Sequence, residues 1–124
     1  MKRVLSMVAL ALATPAAAQT QAQMNTDAGR RYQRADAAMT AEWKRTQVFM
    51  KTRDAREPSR GGGFGYAAAL LESQRAWLKF RDTQCTIEGG EFAGGSMAPM
   101  MIAGCRARLT SERSDQLRKL RWAR

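Results

Sequence analysis

The 124-residue chain contains no histidine. Histidine is the commonest general base and a leading metal ligand near neutral pH, so its absence removes the simplest acid–base and metal chemistry. Cysteine is nearly absent too, with only Cys85 and Cys105 present. Two thiols fall short of the four ligands a structural zinc site usually has. The apolar stretch from Val4 to Ala13 is far shorter than the roughly 20 residues of a membrane-spanning helix. Neither strand-like alternation nor an internal repeat is evident. Basic residues are spread from Arg30 to Arg124 without a dense block, which argues against a nucleic-acid-binding face. Gly61-Gly62-Gly63 is not followed by the Lys-Ser/Thr pair of a phosphate loop. Catalysis would have to rest on paired carboxylates such as Asp82 with Glu88, and nothing in the pattern sets these in a cleft. No catalytic residue, cofactor or metal is therefore expected.

What is present begins with an export signature. Lys2 and Arg3 precede the short apolar run, and Ala16-Ala17-Ala18 forms a small-residue cleavage site before Gln19. Residues 1–18 thus read as a secretory signal peptide, and residues 19–124 as a single helical domain, periplasmic or secreted. Lys and Arg total 21 against 11 Asp and Glu; without Lys2 and Arg3 the balance is 19 to 11, a net charge of +8. Such a charge raises encounter rates with anionic lipid, an envelope polymer, or an acidic cleft on another protein. A solvated face that merely keeps the protein soluble would have the same composition. In an oxidising compartment Cys85 and Cys105 are expected to pair with each other. Closing a loop of that length is worth about 3 kcal/mol in the chain-entropy model.

Three helical segments follow from spacing. Tyr32, Ala35, Met39, Trp43, Thr46 and Met50 recur at steps of three and four, one face of an amphipathic helix. Thr26 or Asp27 is expected to cap it, and it should end near Asp54. Pro58 and the three glycines then interrupt the chain. A second helix is expected from Gly65 or Tyr66 to about Glu88, with Ala67, Leu70, Leu71, Gln74, Leu78, Arg81 and Cys85 inward and Trp77 at one edge. Gln74 and Arg81 at core-facing positions need partners, because an unpaired buried polar group costs a few kcal/mol. A structural polar network meets that need. After Gly89-Gly90 and Gly94-Gly95, Ser96 is placed to cap a third helix carrying Ile102, Cys105, Leu109, Gln116 or Leu117, and Leu120 inward and ending at Trp122. The expected fold is an all-α, three-helix up-down-up bundle, with one disulfide joining the second and third helices.

The stretch Gln74-Arg75-Ala76-Trp77, Arg81-Asp82, Cys85, Gly94-Gly95-Ser96, Cys105, Leu109-Thr110 and Arg113 resembles the LprI-like lysozyme-inhibitor family. Ala35-Asp36, Met39-Thr40 and Trp43 look like that family's first-helix motif, with Met, Thr and Trp standing where Leu, Asn and Tyr are usual. The resemblance implies an exported, non-enzymatic helical domain. From their positions, Gln74, Arg75, Trp77, Arg81, Asp82 and Arg113 are expected to form one structural polar network.

Such an inhibitor would plug the cleft of a cell-wall glycosidase, where a pair of carboxylates performs hydrolysis. The candidate plugs are Gly94, Gly95 and Ser96, or Arg60 in the glycine loop, because glycine permits close backbone approach. Lysozyme or another exported protein is then the expected partner. The alternative is a basic envelope-associated protein that adheres to anionic lipid or polymer. Met97, Met100 and Met101 offer an adaptable apolar patch for a protein partner, although methionine more often fills a core.

Overall fold

In a computed structural model, residues 20–57 and 64–121 are described. The expected signal peptide, the glycine loop with Arg60, and Trp122 lie outside them. The described residues form α1 (Gln21–Arg56), α2 (Tyr66–Gly89), a short 3-10 turn (Gly90–Phe92) and α3 (Ala98–Leu120), with no strand among them. None of these helices is long and apolar enough to cross a membrane.

The three helices pack up-down-up. α1 and α3 run parallel, because Asn25 meets Ser96 and Thr46 meets Leu117 at the same sequence offset of 71 residues. α2 lies antiparallel to both. The Cys85–Cys105 disulfide joins it to α3, with the two Cα atoms 5.5 Å apart. Most of the inter-helix packing lies between α1 and α3.

Each helix end has its own solution to unpaired backbone groups. α1 starts earlier than the spacing predicts: Thr20, rather than Thr26 or Asp27, is the cap. Its hydroxyl accepts from the Gln23 backbone, and the Gln23 side chain accepts from the Thr20 N–H in return. Thr26 is instead well inside the helix, bonded to the Ala22 carbonyl. At the start of α2, Gly65 supplies no side chain. Asp54, near the end of α1, reaches across and accepts from the backbone N–H groups of Tyr66 and Ala67 at 2.7 and 2.9 Å. α3 begins after Met97, not at Ser96, with Pro99 in its first turn. Its N-cap residue, Met97, makes no side-chain cap bond.

The core has two parts. Met39, Met50, Leu70 and Leu117 are buried together, with Trp43, Tyr66, Ala67 and Trp77 packed against them. Cys85, Cys105 and Leu109 form the second, flanked by Trp77 and Ile102. Of the last inward positions expected on α3, Leu117 is buried, whereas Gln116 and Leu120 are exposed. Gly89 is required where α2 ends, since a Cβ there would sit 2.5 Å from the Ile102 side chain.

Candidate functional site

Polar side chains lie between the two apolar clusters, and the helices hold them there in pairs. Gln74 on α2 and Arg113 on α3 are both buried. Arg113 Nε donates to Gln74 Oε1 at 3.0 Å, and its other nitrogens reach Ser73 and Gln116. Burial pulls the Arg113 guanidinium below the usual arginine value, yet a guanidinium stays charged in a protein. Two turns further along α2, buried Arg81 donates to Asp82 at 3.0 Å and contacts Thr110 on α3. Arg81 also lies 3.6 Å from Asp36 on α1, so one guanidinium ties all three helices. Trp77 is stacked by both arginines, 5.2 Å from Arg81 and 5.8 Å from Arg113. Asp82 additionally faces Arg106, whose buried Nε is 3.4 Å away but lacks hydrogen-bond geometry. Arg75 stands apart from this assembly. It points outward and pairs with Glu72.

A second polar centre was not foreseen. Glu42, buried on α1, accepts from Arg121 at 2.6 Å and from Arg45 at 3.0 Å, with Arg118 3.9 Å away. The Arg121 hydrogen bond holds its carboxyl below the usual glutamate value. Arg121 also donates to the Thr46 hydroxyl, which donates in turn to the Leu117 carbonyl. The signal in the sequence was position: Glu42 lies three residues after Met39 and four before Thr46, on the inward stripe. At the far end of α2, the hydrogen bond from Gln84, then that from Arg108, keeps Glu88 low in pKa.

The segment expected to act as a plug, Gly94-Gly95-Ser96, is an exposed turn between α2 and α3. It is ordered by its own bonds. Gly94 adopts φ +77°, a left-handed conformation that suits glycine. Gly95 N–H donates to the Phe92 carbonyl at 2.9 Å, Ala98 N–H to the Gly95 carbonyl, and Asn25 of α1 to the Ser96 carbonyl. Among the described residues, no backbone carbonyl pairs with the N–H groups of Gly94 and Ser96. Met97 beside them is exposed. From Gly89 to Met97 the sole charged residue is Glu91, so this turn brings donors but no arginine.

A groove opens between α1 and α2, with a volume of about 370 Å³. Met39, Trp43, Leu71 and Leu78 line it, with Gln74 at its floor and Arg75 at its edge. The two helices are pinned on either side of it, by Asp36–Arg81 at one end and by Asp54 at the other. Asp36, Met39, Thr40 and Trp43 of the first-helix motif all face this groove.

A family model described as Lysozyme inhibitor LprI matches residues 12–117. An uncharacterized protein of Rhizobium meliloti (strain 1021) is 36% identical over 102 residues, covering 82% of this chain and 73% of that protein. No solved structure matches.

Proposed function

The chain belongs to the LprI lysozyme-inhibitor family, and on that premise we propose that it is an exported, non-enzymatic inhibitor whose Gly94-Gly95-Ser96 turn occludes a cell-wall glycosidase cleft. Export rests on the signal-peptide pattern of residues 1–18, and the domain is then residues 19–124. The observation that carries the reading is a protruding turn pinned by backbone bonds and by Asn25. Preorganisation of this kind lowers the ordering cost of binding. The N–H groups of Gly94 and Ser96, paired with no backbone carbonyl and at the positive end of the α3 dipole, suit the carboxylates of a glycosidase site. Exposed Met97 supplies apolar contact beside them. Gln74, Trp77, Arg81, Asp82 and Arg113 serve as scaffold. They lock α2 to α3, and so fix the turn that joins them. Arg60 remains a second candidate contact.

The test is a lysozyme activity assay with the mature protein at low and moderate salt. Stoichiometric inhibition is expected at both, with Ser96→Trp weakening it by at least tenfold while the helical circular dichroism is unchanged. Inhibition that Ser96→Trp leaves intact would remove the turn from the mechanism.

One further observation favours the alternative, an envelope-associated protein. Arg31, Arg34, Lys44, Lys51, Lys79 and Lys119 are all exposed, and cations distributed this way adhere to anionic lipid or polymer in a salt-sensitive manner. Absence of inhibition together with such adhesion to anionic vesicles would select this reading.

A further inference from the structure

We propose that the α1–α2 groove binds a single-chain anionic amphiphile, with the alkyl chain along the groove and the acidic headgroup at Arg75. Its volume of about 370 Å³ falls within the range of small-molecule sites, which are mostly apolar with a few placed polar groups. The walls are Met39, Trp43, Leu71 and Leu78, an aromatic and aliphatic surface suited to a methylene chain.

Two polar features give the ligand its chemistry. Gln74 is only 7% exposed, and its carbonyl is spent on Arg113. Its amide nitrogen has one contact, the Met39 sulfur at 3.7 Å. A thioether is a weak acceptor, and the amide has two protons to give. A buried donor so poorly matched invites an acceptor oxygen from whatever fills the groove. At the mouth, the Arg75 side chain is 67% exposed and shares its charge only with Glu72, itself 74% exposed. An exposed pair of this kind is weak enough to exchange for a ligand anion. The acid on the lining, Asp36, lies 3.6 Å from Arg81, which offsets its charge.

Pinning at both ends matters as well. Asp36–Arg81 at one end and Asp54 at the other tie the two helices on either side of the groove and favour its present width. A slender chain fits these limits better than a protein segment.

The acidic head could be a carboxylate, as in a free fatty acid, or a phosphate diester, as in a lysophospholipid. Calorimetric titration of the mature protein would use dodecanoate and, separately, a twelve-carbon lysophosphatidylglycerol, each below its critical micelle concentration. Saturable binding at one molecule per chain is expected for at least one, and the tighter of the two identifies the head. Thr40→Trp, which adds bulk from the exposed rim, should weaken it at least tenfold. Arg75→Gln should weaken it about threefold to tenfold and flatten its dependence on salt. Circular dichroism on both variants establishes that they are folded, and Leu78→Phe fills the same space should Thr40→Trp fail to fold. Non-saturating uptake, or binding that a folded groove-filling variant leaves unchanged, would overturn the proposal by assigning the amphiphile to the basic surface. Lysozyme inhibition is read in a separate assay, so either reading can fail without the other.

Discussion

Glu42 shows how a single buried charge can organise one end of a bundle. It is 8% exposed and sits among Arg45, Arg118 and Arg121. A carboxylate in that position is held only because its lone pairs are filled, since removing one partner of a buried pair leaves an uncompensated charge. The Arg121 bond, against the opposing effect of burial, lowers its pKa from the ordinary 4.5. Its contribution to stability is therefore complete above 4.5 and is lost as the pH falls through the lower folded-state value. Thermal unfolding followed from neutral pH downward should show a loss of stability below that point, and Glu42→Gln should flatten the profile. A Glu42→Gln variant as acid-sensitive as the parent would mean that other carboxylates dominate. The inward stripe read from the sequence contained Met39, Thr46 and Met50, which are buried, but passed over Glu42. A charge on the flank of a stripe is ordinarily solvated. Only the arrival of Arg118 and Arg121, more than 70 positions later, decides that this one is not. Gln74 and Arg81 were legible because each falls on the core-facing stripe of the second helix. Their partners Arg113, Thr110 and Asp36 come from other helices, where spacing along one segment carries no information.

Among the elements, α2 depends most on a neighbour. Its N-cap is a glycine, and the Asp54 carboxylate of α1 satisfies two of its first backbone donors. Replacing a capping acid by alanine typically costs about 1–2 kcal/mol. Asp54→Ala should therefore lower stability by about that amount in a denaturant titration, with Asp54→Asn intermediate because one amide oxygen replaces two carboxylate oxygens. An unchanged midpoint for Asp54→Ala would show that water caps α2 equally well. Helix existence and order were readable from hydrophobic spacing, while helix ends were less so. Thr26, Asp27 and Ser96 are all residue types favoured at caps, but Thr20 takes the first role because its partner Gln23 completes a reciprocal pair. Ser96 is displaced because the 3-10 turn and the bend at Gly95 carry the chain one residue further before α3 begins. The turn itself was visible in its glycines. The bond from Asn25 that steadies it comes from 71 residues away and was not.

At the scale of the whole molecule, α1 and α3 form the main packed pair and α2 is attached more sparsely, through the disulfide, the arginine bridges and the Asp54 cap. That arrangement leaves the groove open along α1 and sets the exposed turn at one end. It also concentrates dependence on the covalent link. Reducing the disulfide should cost about 3 kcal/mol for a loop of this length, a large share of the roughly 5–15 kcal/mol that a small domain has in total. Denaturant unfolding with and without reductant measures this directly. A difference below about 1 kcal/mol would show that packing and polar bridges hold α2 unaided. The groove itself could not be read in the sequence, because it arises from how far apart two helices are pinned and not from any local pattern.

The position of the Cys85–Cys105 bond has a consequence for resistance to proteolysis. It encloses the Gly94-Gly95-Ser96 turn, the kind of exposed segment that proteases prefer. A cut there would open the backbone without parting the two halves, because the sulfurs still bridge them. The domain would thus survive its first nick as a two-chain molecule.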